Sequence, residues 1–94
     1  YIRRGKVLSS VAIKGEKAEV LEALAQEQSD IVGKPLKSLN FPKGALILSI
    51  IRENEVIVPT GEDVINPMDR IIILSARETI SKVEKKLMVP LEFV

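Results

Sequence analysis

The amino-acid sequence predicts one small domain that mixes β-strands with helices. Three observations support this prediction. The chain has 94 residues, of which 46% are hydrophobic, enough for one modest core. Residues 45–51 and 56–58 are apolar runs joined by a turn sequence, which is typical of a β-hairpin. Near the C-terminal end, apolar residues recur at helical spacing behind a helix-capping sequence.

The first part of the chain contains one clear strand and one ambiguous segment. Residues 7–13 carry β-branched side chains and stop at a turn-like cluster, so they predict a strand. Residues 18–27 are rich in Ala, Leu and Glu, which favours a helix. The alternation from Ala18 to Leu24 equally fits one face of a strand. Propensity alone prefers the helix.

The middle of the chain predicts a short helix followed by a buried strand. Pro35 can begin a helix of one or two turns, in which Leu36 and Leu39 face the same way. Residues 45–51 are apolar on both alternating faces except at Ser49, a pattern typical of a strand covered on both sides. We therefore expect residues 45–51 at the centre of the sheet.

Two turns then frame the remaining strands. Asn54 can adopt the left-handed conformation of a tight hairpin loop, so residues 56–58 should pair with the preceding strand. Pro59 lacks a backbone N–H and should lie at a strand end or on an edge. Residues 66–69 have Asn first and Pro second, which predicts a type I turn leading into a buried strand at 70–74.

The C-terminal part predicts a helix and an apolar tail. Ser75 and Glu78 have the spacing of a capping box, and apolar residues from Ile80 to Leu87 follow one helical face. The tail, residues 88–94, is mostly apolar, so we expect it to pack on another surface.

Composition argues against several classes of partner. The formal net charge is +1, and the only aromatic residues are Tyr1, Phe41 and Phe93, so neither the charge nor the stacking platforms of a nucleic-acid binder are present. Cysteine and histidine are absent, which excludes disulfides, thiolate chemistry and cysteine-ligated metals. The apolar runs are far shorter than the ~20 residues of a membrane span, so no direct membrane insertion is predicted.

The residue types of catalysis are not arranged for it. Gly33 and Lys34 resemble part of a phosphate loop, but Gln28 replaces its first glycine and Pro35 its Ser or Thr. The candidate acids and bases, Glu53, Glu55, Glu62 and Asp63, lie in predicted turns. Glu62 and Asp63 with Asp69 are too sparse for a metal site, and the serines lack a histidine base. The sequence thus predicts no catalytic residue, no metal site and no cofactor on this chain, which is not expected to be an enzyme.

Arg52 is unusual because it ends an otherwise apolar strand. One interpretation is an ordinary solvent-exposed arginine. The other is that its planar guanidinium meets an anionic group, since that geometry suits phosphate or carboxylate. The residues alone leave both interpretations open.

Several stretches together resemble the TrkA C-terminal domain, also called the RCK C-terminal domain. The resemblance extends roughly from Ala18 to Leu87. The matching stretches are residues 31–45 (IVGKPLKSLNFPKGA), 50–52 (IIR), 56–59 (VIVP) and 67–70 (PMDR). It implies an α+β fold: a small β-rich sheet, mostly antiparallel with a β-hairpin, flanked by a short helix and a C-terminal helix. It also implies a strand, not a helix, within residues 18–27, and we follow it there.

The resemblance implies a regulatory role in potassium uptake systems, channels or other ion transporters. Domains of this kind usually follow a nucleotide-binding Rossmann domain, which would lie before Tyr1, so residues 1–6 are expected to be a linker and residues 7–94 the regulatory domain. A homodimer is implied, together with a membrane potassium transporter or channel subunit as partner. The expected location is the cytoplasm, at the inner face of the membrane through that partner.

The resemblance also implies a candidate ligand. Some members bind cyclic di-AMP in a cleft at the dimer interface, lined here by Ile50, Arg52, Val58 and Pro59, with Asn40 or Arg52 supplying polar contacts. Two positions depart from the family pattern. Thr60 replaces a frequent arginine, which weakens the case for anion binding. Met68 replaces a frequent glycine, which a type I turn tolerates at its third position.

Two functions from different classes follow. The first is a dimerising domain that senses a nucleotide-type small molecule and so regulates potassium transport. The second is a purely structural dimerisation module without a ligand, driven by burial of the apolar tail and exposed strand residues.

Overall fold

The chain forms one sheet and a C-terminal helix, in the order of elements that the sequence predicts. A computed structural model describes the backbone of residues 6–13, 15 and 17–87, and the side chains of residues 15 and 17–87. The strands are β1 (Lys6–Ile13), β2 (Ala18–Leu24), β3 (Ala45–Arg52), β4 (Glu55–Ile57) and β5 (Arg70–Ala76). A 3-10 helix spans Leu36–Ser38, and a second one, Arg77–Thr79, leads into α1 (Ile80–Leu87). The predicted α+β class is confirmed.

The strand order places the last strand of the chain at the centre of the sheet. The order is β1-β2-β5-β3-β4, and all neighbouring pairs are antiparallel. β5 therefore separates β2 from β3, and the prediction that residues 45–51 form the central strand is wrong. The apolar content of residues 45–51 could not reveal the strand order, because β5 pairs with β2 and β3 over long distances in the sequence.

One face of the sheet carries the core. Ile71 and Ile73 of β5 are fully buried there and belong to the same apolar cluster as Val83 and Leu87 of α1. The remaining members of this cluster are Leu21, Ala23, Ala25, Ile31, Leu39, Ile50 and Ile65. Full burial of one isoleucine side chain contributes about 1.5–3 kcal/mol relative to exposure, so this face stabilises the domain.

The other face of the sheet, called the open face here, is half-buried over β2 and β5 and exposes apolar side chains on β3 and β4. A register shift between Ile47 and Ser49 accommodates Leu48 as the extra residue of a bulge in β3. On the open face, Leu46 is 59% exposed and Val56 is 68% exposed. The expectation that both faces of residues 45–51 are covered is therefore wrong for the single chain.

The ambiguous segment, residues 18–27, contains strand β2 from Ala18 to Leu24. β2 pairs with β1 on one side and β5 on the other, and its buried residues Leu21 and Ala23 alternate with less buried neighbours. The strand implied by the resemblance is confirmed and the helix favoured by propensity is wrong. The two ladders of backbone hydrogen bonds outweigh helix propensities, which differ by only about a few tenths of a kcal/mol per residue.

The predicted hairpin between β3 and β4 is confirmed. Glu53 and Asn54 form its two-residue loop, with φ values of 49° and 69°. Positive φ at both loop residues is the pattern of a type I′ turn, which matches the twist of paired strands. β4 ends at Ile57, so Pro59 follows the strand end as predicted.

The C-terminal helix is confirmed, but its predicted cap is wrong. Ser75 is the penultimate residue of β5 and is fully buried, and its hydroxyl donates to the Ala76 carbonyl at 2.9 Å. Ala76, not Ser75, precedes the first helical turn, and no side chain caps it. The predicted linker 1–6, apart from Lys6, and the tail 88–94 lie outside the described residues.

The turn at residues 66–69 differs from the predicted type I geometry. The Asp69 N–H donates to the Asn66 carbonyl at 3.1 Å, so the turn is closed, but Met68 has a φ of 74°. Positive φ at the third position is the mark of a type II turn, which favours glycine there. Backbone hydrogen bonds from Met68 N–H to the Ala25 carbonyl and from Ala25 N–H to the Asp69 carbonyl hold this conformation.

Replacing Met68 with glycine should raise the free energy of unfolding by about 0.5–1 kcal/mol. A left-handed backbone costs an L-residue about 1–2 kcal/mol, part of which the greater unfolded-state entropy of glycine offsets. The Met68 side chain is 71% exposed, so little packing is lost. Urea unfolding would measure the change, with Met68→Ala as the control. Equal stability of the two variants would contradict the strain.

Candidate ligand groove

An apolar groove opens beside the first 3-10 helix. It lies between that helix, the start of β3 and the loop after β4, and its volume is about 260 Å³. The lining residues are Leu36, Lys37, Phe41, Ala45, Leu46, Ile47, Pro59, Thr60 and Gly61. Among the described residues of this lining, Lys37 is the only charged side chain, so the groove suits a flat apolar group that carries negative charge at one end.

Backbone hydrogen bonds fix the two walls of the groove to each other. Pro35 has the extended conformation (φ −56°, ψ 143°) and precedes the 3-10 helix. The next two N–H groups cross to the facing loop: Leu36 donates to the Asp63 carbonyl at 2.9 Å, and Lys37 donates to the Gly61 carbonyl at 3.0 Å. These two backbone hydrogen bonds hold the walls of the groove together.

The facing loop is ordered by its own turn. The Asp63 carboxylate accepts hydrogen bonds from the Thr60 N–H at 2.6 Å and from the Thr60 hydroxyl at 3.3 Å. Gly61 lies so close to the helix that an added Cβ would stand 3.3 Å from the Cβ of Lys37. Glycine at this position permits the close approach of the two walls.

The ammonium group of Lys37 is already paired with a carboxylate. Lys37 Nζ lies 2.6 Å from Glu62 Oε1, and the two side chains are 60% and 74% exposed. Exposed pairs of this kind contribute about 0–1 kcal/mol, because water and salt screen them. Lys37 can therefore exchange its partner at little cost.

The structure brings one of the five predicted ligand residues into the groove. Pro59 lines it directly, and Val58, the preceding residue, is 80% exposed. Asn40 is exposed with a φ of 51° and immediately precedes Phe41, a lining residue. Ile50 is fully buried in the core. The ligand roles of these residues stay predictions.

Arg52, the fifth predicted residue, is held by the chain itself. Its Nε donates to Asp69 Oδ1 at 3.0 Å and its Nη2 donates to Asp69 Oδ2 at 2.7 Å. Nη2 also donates to the Val64 carbonyl at 2.9 Å. Hydrogen bonding to Asp69 raises the pKa of Arg52 above its ordinary value. Arg52 thus binds the carboxylate of Asp69 in its own chain, and its role as a ligand residue stays a prediction.

The Arg52–Asp69 pair anchors the turn before β5. The Asp69 side chain is 3% exposed, and its Oδ2 also accepts the Asn66 N–H at 2.8 Å. The Arg52 side chain is 34% exposed, so part of the guanidinium still reaches the surface. This pair lies outside the groove lining and joins β3 to the 66–69 turn.

The described residues hold neither a cluster of metal ligands nor a membrane-spanning helix. Within residues 15 and 17–87, no three carboxylates come together in a group that could hold a metal ion. None of the helices in the described part of the chain has the length and apolar content to cross a membrane.

Comparison with protein families identifies the domain. The family model of the TrkA-C domain matches residues 20–88, which contain β2 to α1. This chain belongs to the TrkA-C domain family. The resemblance inferred from the sequence is confirmed.

Named relatives of this TrkA-C domain are potassium uptake proteins. Trk system potassium uptake protein TrkA homolog 1 of Methanosarcina mazei is 49% identical over 73 residues, 78% of this chain and 16% of the relative. The TrkA protein of Azorhizobium caulinodans is 32% identical over 93 residues, 99% of this chain and 20% of the relative. The chain thus spans only 16% to 20% of the length of these relatives.

A solved structure supports the same assignment. It is described as an RCK domain with cda, and it is 29% identical to this TrkA-C domain with a TM-score of 0.55. The match covers 71% of this chain and 94% of the other.

Proposed function

We propose that this TrkA-C domain is a dimerising, ligand-sensing regulatory unit of a potassium uptake system. It acts in the cytoplasm, at the inner face of the membrane, through a transporter or channel subunit. The names of its relatives support the transport context, and the RCK domain described with cda supports a nucleotide-type ligand. Cyclic di-AMP is the specific ligand that we propose.

The observation that carries the proposal is an apolar groove that is too small to enclose such a ligand alone. Its volume of about 260 Å³ is below the roughly 300–1,000 Å³ of pockets that bury most of a small molecule. A second copy, which places its own groove opposite, would double the apolar lining. A symmetric dinucleotide fits a two-fold pair of half-sites.

The ligand would regulate by favouring one arrangement of the two subunits. A ligand shifts an equilibrium only by its difference in affinity between the two states. A site shared by two subunits meets this condition, since its shape changes whenever the subunits move. Pro59, Phe41 and Leu46 would hold a base, while Asn40 and Val58 would lie at the rim.

Titration with cyclic di-AMP tests this proposal. Calorimetry on the 94-residue chain should show saturable heat, and melting should shift upward with ligand concentration. Leu46→Ser should weaken binding about tenfold, because it removes apolar surface that the bound ligand would cover. Leu48→Ser is the matched control: Leu48 is exposed on the same strand but does not line the groove, so affinity should stay within about twofold. Absence of heat and of any melting shift would refute the ligand.

A purely structural dimerisation module is the second candidate function. The observation that favours it is the open apolar face, where Val56 is 68% and Leu46 is 59% exposed. Burial of such a patch between two copies would stabilise a dimer without any ligand. Sedimentation of the same variants separates the two functions. A module should dimerise without ligand and lose dimer stability with either leucine variant, whereas a sensor should lose ligand response with Leu46→Ser alone.

A further inference from the structure

We propose that Glu62 is a built-in competitor for the anionic group of the groove ligand. Lys37 is then the cation that binds either the Glu62 carboxylate or a phosphate of the ligand. This inference rests on the proposed function in one respect, namely that the groove holds a ligand. It adds a basis for ligand specificity, because only an anionic ligand can replace the Glu62 carboxylate at Lys37.

The backbone places the two side chains for this exchange. The Lys37 N–H donates to the Gly61 carbonyl at 3.0 Å, so the residue next to Glu62 is hydrogen-bonded to Lys37 itself. Lys37 belongs to the groove lining, whereas Glu62 does not. The lysine stem therefore follows the groove wall, and Glu62 approaches its ammonium group from outside, to 2.6 Å.

Charge complementarity identifies the chemical class of the ligand. Of the nine lining residues within the described part of the chain, eight are apolar or uncharged, and Lys37 is the single cation. An aromatic ring with an attached phosphate, as in a nucleoside phosphate, would match both parts of the lining. A neutral nucleoside would use the apolar part alone and would leave the ion pair intact.

The energetics make the exchange practicable. Both side chains are more than half exposed, so the ion pair is weak and screened by salt. A phosphate carries more charge than one carboxylate and accepts shorter, charge-assisted hydrogen bonds. Glu62 should therefore lower phosphate affinity by a small factor and leave the affinity of neutral compounds unchanged.

The experiment compares AMP with adenosine on four variants of this chain. Dissociation constants come from NMR titrations that follow the backbone amides of Thr60 and Gly61. The variants are Glu62→Gln, Lys37→Met, the double variant that combines them, and Glu27→Gln. Lys37→Met keeps the apolar stem of the lysine and removes its charge. Glu27 is exposed and does not line the groove, so the last variant controls for net charge.

The expected result is a higher affinity for AMP, and not for adenosine, when Glu62 is replaced. Glu62→Gln should bind AMP about threefold more tightly than the unaltered chain, the effect of losing one exposed ion pair. Lys37→Met should bind AMP about tenfold more weakly, and the added Glu62→Gln should then have no effect. Adenosine affinity should be the same in all variants, and Glu27→Gln should resemble the unaltered chain.

Three outcomes would overturn the inference. The first is that the AMP affinities of Glu62→Gln and Glu27→Gln differ by less than about 1.5-fold, roughly the smallest effect of an exposed ion pair. The second is that Glu62→Gln raises the affinity for adenosine as much as the affinity for AMP. The third is that AMP does not bind even to the Glu62→Gln variant. A separate titration with cyclic di-AMP keeps the two proposals distinct. If AMP behaves as expected and cyclic di-AMP does not bind, the specific ligand of the proposed function fails and the competition by Glu62 stands.

Discussion

Replacing Asp69 with alanine should lower the free energy of unfolding by about 3 kcal/mol. The Asp69 side chain is 3% exposed, and its carboxylate accepts hydrogen bonds from Arg52 and from the Asn66 N–H. Removing one partner of a buried ion pair costs about 3–5 kcal/mol, and the 34% exposure of Arg52 places the loss at the lower end of that range. Chemical unfolding in urea, with unchanged m-value, would measure it.

Asp30→Ala is the matched control for this substitution. Asp30 is an exposed carboxylate in a turn, so its removal should change the free energy of unfolding by no more than about 0.5 kcal/mol. Asp69→Asn keeps a hydrogen-bond acceptor without the charge and should fall between the two. If the free energies of unfolding of Asp69→Ala and Asp30→Ala differ by less than about 1 kcal/mol, the roughly 3 kcal/mol assigned to the buried pair is incorrect.

The Arg52–Asp69 pair also changes how a ligand role for Arg52 has to be tested. Arg52→Ala would leave the Asp69 carboxylate buried without its cation, and the loss of stability would obscure any loss of ligand response. Arg52→Lys keeps the charge but not the planar fork. The Lys variant should therefore retain more stability than Arg52→Ala, and its ligand affinity can be compared with that of the unaltered chain.

Local signals in the sequence were sufficient where the structure is decided locally. Asn54 predicts the hairpin because its side chain tolerates the positive φ of the loop, and Pro59 predicts a strand end because it has no N–H to donate. The position of β3 in the sheet and the conformation of Met68 were predicted incorrectly. Both depend on contacts with distant segments, β5 in one case and Ala25 in the other.

The groove was only partly predictable for the same reason. Pro59 was identified through the family resemblance, and it lines the groove. Lys37, Phe41 and Leu46 were missed as lining residues, because nothing in their local sequence separates an exposed lysine or an apolar strand residue from many others. The crossing bonds from the 3-10 helix to residues 61 and 63 bring them to Pro59. Such bonds join segments about 25 positions apart and leave no local pattern.

Replacing Gly44 with alanine should lower the free energy of unfolding by about 3 kcal/mol. Gly44 has a φ of 92°, and an added Cβ would stand 2.7 Å from Thr79 Oγ1. The left-handed backbone costs an L-residue about 1–2 kcal/mol, and the overlap adds about 1–3 kcal/mol as in an overpacked core. The Thr79 hydroxyl cannot simply move away, because it donates to the Lys43 carbonyl at 3.2 Å. Urea unfolding would measure the loss.

Gly33→Ala separates the two contributions, because Gly33 has a φ of 89° and no atom within 4 Å of an added Cβ. It should cost only the backbone strain, about 1–2 kcal/mol. Combining Gly44→Ala with Thr79→Ala should recover part of the overlap energy, since the nearest atom is then absent. Equal losses for the two glycine variants would contradict the close packing at Gly44. Ala45 follows Gly44 and lines the groove. If β3 shifts to relieve the overlap in Gly44→Ala, the groove changes shape and ligand binding should weaken. Gly33→Ala should leave ligand binding unchanged.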